Sequence, residues 1–214
     1  GCDFTECSAY YGGGAFVYSN DASKQVKILN CKFSKNEALS SSSLIDPSSG
    51  SALYLMTKNS LVIRCRFSQN KGTNSVKIVY NFGEELTNVK HSLSKSSPII
   101  IQECEFIIDK SEKSSLSLRL DSSLNLPVSV KNCIFTGKPS DGAHHIHAES
   151  KRIGAAPHID GVLKIESCKF SDGYKKAVGM DNVIGTMSMK TKRNENGVVV
   201  LSAVAVSGIL AVFP

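Results

Sequence analysis

The pattern Cys-x-Phe occurs six times in this chain, with its cysteines at positions 2, 31, 65, 104, 133 and 168, and no other feature restricts the fold as strongly. The intervals between these cysteines are 29, 34, 39, 29 and 35 residues, so the chain is built from repeats. In "VKILNCKFSKN", residues 26–36, Val26 and Ile28 share one parity while Cys31 and Phe33 share the other. Side chains alternate between the two faces of a strand, so in a flat sheet this offset would turn half of the apolar set toward water. The backbone must therefore turn a corner at Asn30. The same offset falls at Arg64, Glu103, Asn132 and Ser167, each directly before a cysteine.

Each repeat also contains a second strand some ten to twenty residues after its cysteine: "GGAFVYS" (13–19), "GSALYLM" (50–56), "VKIVYNF" (76–82), "SLSLRLD" (115–121) and "AHHIHA" (143–148). Before about residue 195 no segment sustains the three- and four-residue apolar spacing of a helix, whereas short β-branched runs bounded by Ser, Asn, Gly and Asp abound. Units that cannot bury an apolar face alone must stack on one another. Residues 1–185 are accordingly expected to form an all-β solenoid, a right-handed parallel β-helix of roughly five to six coils, incomplete at its N-terminus, with coils about 4.8 Å apart. Equivalent residues would then form ladders. Cys31, Cys65, Cys104, Cys133 and Cys168 make one internal column, and Phe33, Phe67, Phe106, Phe135 and Phe170 another. A corner column holds Asn30 and Asn132, residues that tolerate left-handed backbone angles.

Composition sets outer limits. The chain has 214 residues, 41% of them hydrophobic and 21% charged, enough for one sizeable core. Lys and Arg number 25 against 19 Asp and Glu, a mild basic bias that fits a solvated surface or a patch for anionic glycans or lipid headgroups. The basic run Lys24, Lys27, Lys32 and Lys35 lacks the interleaved aromatics of a single-strand nucleic-acid groove, so no nucleic-acid partner is expected.

Six of the seven cysteines are used by the repeat and are expected to act as small buried hydrophobes. A disulfide between coils stays open, because adjacent rungs bring Cα atoms to about 5 Å. No cysteine pair has the spacing of a zinc site. In "HHIHA", His145 and His147 are two apart on a strand and would share a face, with His158 on a following loop as a third ligand for zinc or copper; the competing reading is a His-rich exposed edge. No cofactor is expected.

The units "CKFSKN" and "CRFSQN", together with "GGGAF", resemble the repeats of the polymorphic outer membrane protein family, whose hallmark pairs Phe-x-x-Asn with Gly-Gly-Ala-aliphatic. Phe33 to Asn36 and Phe67 to Asn70 match the first element, and Gly13, Gly14, Ala15 and Phe16 resemble the second. The resemblance implies a right-handed β-helix displayed on a cell surface and acting in adhesion, in bacterial members and in protist surface proteins with similar repeats. The partner would be a host or matrix protein or glycan, met by Ser-rich loops such as 37–50 and 83–98. The alternative is enzymatic, since pectin lyase-like β-helices include polysaccharide lyases and glycoside hydrolases. Such chemistry gathers carboxylates on adjacent coils. The outward position of Cys-x-Phe instead holds Asp3, Lys32, Arg66, Glu105, Ile134 and Lys169, and most other aspartates (Asp109, Asp121, Asp141, Asp160, Asp172) fall in turns, so no catalytic residue is expected.

At the C-terminus, residues 186–196 read as a polar basic spacer, and 197–214 as a membrane-anchor candidate, because "GVVVLSAVAVSGILAVF" (197–213) carries no charge. Three readings stay open: a transmembrane helix, a lipid-anchor signal, or a final rung or cap of the solenoid. The expected topology is membrane-attached with the β-helix outside the cell.

Overall fold

The structure, a computed structural model, describes residues 1–19, 21, 23–40, 49–57, 59–80, 99–108, 114–120, 128–140, 143–149, 155–171, 177–181, 186–193 and 199–211, with the backbone alone for 80, 120, 149, 155–162, 180–181, 186–193 and 199–211. The described regular structure is all β-strand. Successive repeats add strands to three parallel ladders. The first contains β1 (Asp3–Thr5), β5 (Lys32–Ser34), β9 (Arg66–Ser68), β12 (Glu105–Ile107), β15 (Ile134–Thr136) and the end of β17 (Ala155–Phe170). The second contains β4 (Val26–Leu29), β8 (Ser60–Ile63), β11 (Ile99–Gln102), β14 (Val128–Lys131) and the middle of β17. The third contains β3 (Ala15–Ser19), β7 (Leu53–Thr57), β10 (Asn74–Tyr80), β13 (Ser114–Leu120), β16 (Ile146–Glu149) and β18 (Val178–Asp181). The short strands β2 (Ser8–Ala9) and β6 (Glu37–Ala38) pair separately.

The register puts like on like. Phe4 pairs with Phe33, Phe33 with Phe67, Phe67 with Phe106, Phe106 with Phe135, and Phe135 with Phe170. Their rings stack face over face at centroid distances of 4.7, 5.2, 4.9, 4.8 and 4.9 Å. That is the spacing of the strands themselves, so each ring packs fully on its neighbours without disturbing the ladder. In the second ladder Ile99, Ile101, Val128, Val130, Leu163 and Ile165 are buried and complete the same core. A column of mostly small residues lies at the start of the third ladder, aligned by its register: Gly14, Ala52, Ser75, Ser115, His145 and Ala177. A Cβ on Gly14 would touch the Phe33 ring, which shows why this column is kept small beside the aromatic stack.

Corners are defined by backbone angles. Asn30, Arg64, Glu103, Asn132 and Ser167 all have left-handed φ between 52° and 55°. Asn is therefore not required there; Arg, Glu and Ser are held in the same conformation, which is unfavourable for L-residues by about 1–2 kcal/mol each, because the strands on both sides are locked in register. A second corner, two residues after the phenylalanine, has the same geometry at Glu6, Lys35 and Gln69. Beyond it lie Asn36 and Asn70, fully buried. Asn36 Nδ2 donates to the Phe4 carbonyl at 3.0 Å and to Asn70 Oδ1 at 3.1 Å, while Asn70 Oδ1 also accepts from the Asn36 backbone N–H at 3.1 Å. Asn70 Nδ2 donates to the Phe33 carbonyl at 3.2 Å, and Asn36 Oδ1 accepts from the Cys7 N–H at 3.0 Å. The Phe-x-x-Asn element is thus a ring for the stack and an amide for the turn.

Gly13 fits a close backbone approach. A Cβ there would meet the carbonyl oxygens of Ser51 and Glu37, neither of which can swing away as a side chain could. Gly13→Ala is expected to lower the unfolding free energy by about 1–3 kcal/mol, read as a lower urea midpoint; a midpoint equal to that of the parent would show that this approach does not limit the first repeat.

The apolar C-terminal run forms a strand. β20 (Val199–Ala211) lies antiparallel to β17, with Leu163 opposite Val206 and Ile165 opposite Val204, and antiparallel to β19 (Thr186–Arg193) on its other side. Its composition of Val, Ala, Leu and Ile suits a strand, and β17 offers it a row of unpaired N–H and C=O groups on the edge away from β14. Of the three readings of residues 197–214, the terminal strand or cap is the conformation adopted by 199–211. Among the described residues no helix is long and apolar enough to cross a membrane.

Candidate binding face

The outside of the first ladder is a line of charges of both signs. Asp3, Lys32, Arg66, Glu105, Ile134 and Lys169 follow one another in register. Glu105 is paired with Arg66 at 3.3 Å and, at the neighbouring corner, Glu103 with Arg64 at 3.3 Å. Lys35 with Glu6 and Lys71 with Glu37 add pairs between successive repeats. Exposed pairs of this kind contribute about 0–1 kcal/mol each, so they favour register more than stability. No two carboxylates are neighbours in this column. Asp109, Asp121, Asp141 and Asp172 lie outside the described residues, as do residues 41–48 of the first and all of the second (83–98) of the two loops expected to carry specificity.

The outside of the third ladder has a different character. Phe16 and Tyr18 alternate with inward Val17 on β3, and both project outward at 50% and 56% exposure. The register sets Phe16 beside Tyr54 and Tyr18 beside Met56 on β7. The Phe16 and Tyr54 rings lie 5.5 Å apart, and Tyr11 meets Tyr54 edge-on at 5.3 Å. Tyr10, also half exposed, follows Ala9 at the step where exposed Leu39 follows Ala38 on the next repeat. Phe16, Tyr11 and the buried Tyr54 thus form one ring cluster on the first two repeats, with Tyr18 exposed on β3 and Tyr10 exposed just after β2. The sequence signal was present: Tyr10, Tyr11, Phe16 and Tyr18 fall within nine residues and none belongs to the Phe ladder. It was missed because strand parity does not say which face of a second strand is left open.

Farther along the same outer column Tyr54 is followed by Lys77, Ser117 and His147. Lys77 is almost wholly buried, and its Nζ donates to Ser117 Oγ at 3.0 Å. This column therefore passes from the open Phe16 ring through buried Tyr54 to an enclosed Lys77.

The three histidines considered as metal ligands are not one set. His145 is the bend residue before β16, not part of it, so the corner reverses parity between His145 and His147. The His145 ring is buried, 5.7 Å from both Phe135 and Phe170, with Nδ1 3.1 Å from Ser115 Oγ. His147 sits between inward Ile146 and Ala148 and belongs to the outer column. His158 lies within β17, where only the backbone is described. The expectation that His145 and His147 share a face fails for the same reason that opened the sequence reading. Among the described residues no group of three or more His, Cys, Asp or Glu side chains is gathered for a metal.

All seven cysteines are free thiols. Between in-register parallel rungs equivalent atoms repeat at about 4.8 Å, whereas a disulfide needs Cβ atoms about 3.5–4.5 Å apart. The ladder that aligns the cysteines also holds them too far apart to bridge. Compared with known protein families, curated proteins and solved structures, the chain matches none.

Proposed function

We propose that the chain is a right-handed parallel β-helix displayed on a cell surface, a non-catalytic scaffold that binds a host or matrix glycan or protein, in the manner of the polymorphic outer membrane protein-like repeats it resembles. The observation that carries this reading is the aromatic patch in which Tyr10, Phe16 and Tyr18 are exposed and Phe16 and Tyr11 pack on the buried Tyr54 ring. Exposed rings on a rigid sheet offer a large contact area with little conformational entropy to lose, and clusters of this kind mark interaction sites. The parallel ladders, the repeated left-handed corners and the one-strand-per-ladder sequence of the repeats support the coiled winding; strand twist favours the right hand. Glu103 and Glu105, tied to Arg64 and Arg66, support a scaffold rather than an acid–base pair.

The test is a glycan array combined with a host-cell binding assay, using the full chain and the double variant Phe16→Ser, Tyr18→Ser. Both side chains point into solvent, so the variant should fold as the parent does and lose at least tenfold in binding. Unchanged binding would remove the patch from the function. Release of reducing or unsaturated sugar from pectin, alginate or a glycosaminoglycan, abolished by replacing a single Asp, would replace the scaffold reading with the enzymatic one.

Membrane attachment through residues 197–214 is part of the same proposal and competes with their use as a cap, since one uncharged run cannot cover β17 and enter a bilayer at once. With the chain expressed in its native cell type, protease added to intact cells should digest the β-helix, and the 197–214 segment should stay with the membrane fraction. A protected β-helix, or a soluble chain retaining that segment, would leave it as a cap only.

A further inference from the structure

We propose that Cys31 and Cys65 form a linear, two-coordinate site for a soft monovalent cation, Cu(I), at the more exposed end of the thiol column. The column is continuous: Cys2, Cys31, Cys65, Cys104, Cys133 and Cys168 occupy the same place on successive repeats, because each of the first five carbonyls accepts from the residue after the next cysteine. The sulfurs share one orientation. Cys31, Cys65, Cys104, Cys133 and Cys168 each direct Sγ to the carbonyl two residues back, at 3.3, 3.4, 3.3, 3.4 and 3.4 Å. Neighbouring sulfurs are therefore offset by about one rung, about 4.8 Å.

That separation is too wide for a disulfide and right for a bridging ion. Two metal–thiolate bonds laid end to end, each taken as about 2.3 Å from the zinc value, span about 4.6 Å. Two sulfur ligands in line, with no third group gathered nearby among the described residues, suit a d10 ion that accepts two-coordination and do not suit zinc, which requires four ligands. Soft thiolate favours Cu(I) over harder ions. Cys31 is half-buried while Cys65 is buried, so this step has access to solvent and a dry inner ligand.

Binding breaks two S–H bonds, forms two sulfur–metal bonds and releases two protons to solvent; neither the metal nor sulfur changes oxidation state. The resulting bis-thiolate complex carries one negative charge.

The experiment uses the reduced full chain, free of added thiol and chloride, titrated anaerobically with Ag(I) as the redox-inert probe, with unbound thiols counted by a disulfide reagent and strand content followed by circular dichroism. The parent should take up one tight equivalent, lose two titratable thiols, keep its strand spectrum and unfold at a higher temperature. Cys31→Ser, at a half-buried position where folding should survive, should bind that equivalent at least tenfold more weakly, as should Cys65→Ser, while Cys7→Ser should match the parent. Zn(II) should not displace the ion. The proposal is overturned if Cys31→Ser keeps the tight equivalent with an intact strand spectrum, if uptake by the parent destroys that spectrum, or if Zn(II) competes on equal terms.

Discussion

Replacing Phe106 by Ala is expected to reduce the unfolding free energy by about 3–5 kcal/mol, the range for a fully buried ring. The ring is 1% exposed and lies in the middle of the stack, 4.9 Å from Phe67 and 4.8 Å from Phe135. Its removal opens a cavity that neither neighbour can fill, because both are pinned by their own strands at the rung spacing. A repeat array is stable only through contacts between adjacent units, so the loss falls on the interface between the repeats on either side. Urea unfolding followed by circular dichroism should show a lower midpoint and, as the two halves uncouple, a shallower slope. A change under 1 kcal/mol with an unchanged slope would mean that the ring stack does not hold the repeats together.

Asn70→Ala is expected to be the next most damaging change, at about 3 kcal/mol or more. The substitution removes hydrogen bonds from three interior groups: the Asn36 backbone N–H, one N–H of the Asn36 side-chain amide, whose other bond to the Phe4 carbonyl stays, and the Phe33 carbonyl. Each orphaned buried group costs about 1–3 kcal/mol, and Asn70 is only 1% exposed, so water has no ready route to replace the amide. Equal stability of Asn70→Ala and the parent in a urea titration would show that the second corner is held by its backbone alone.

The loss in Asn70→Ala also illustrates what was legible beforehand. Phe-x-x-Asn could be recognised as a recurring element, but its spacing does not say that Asn36 and Asn70 are interior or that one amide serves the next repeat. That depends on the αL residues Lys35 and Gln69, which turn the chain so that the following side chain points inward. The same blindness placed His145 and His147 on one face. A two-residue interval means a shared face only within one strand, and the bend at His145 ends that strand. An alignment of the small residues that open the third ladder would have marked His145 as the large member of an interior column.

What the sequence determines by itself is periodic and local. The offset between Ile28 and Cys31, repeated before Cys65, Cys104, Cys133 and Cys168, carries the strands, the corners and the identity of the stacked rings, because side-chain alternation is a property of any extended backbone. What only the tertiary structure decides depends on which surfaces meet. Arg64, Glu103 and Ser167 adopt left-handed angles that their own preferences oppose, because the stacked strands on either side leave no other path. Lys77 is enclosed while Phe16 and Tyr18 stand in solvent on the same outer face. The uncharged run at 199–211 pairs with β17, although its sequence alone suits a bilayer as well, because the last rung of a parallel stack presents an open edge of hydrogen-bonding groups that a β-branched segment can satisfy.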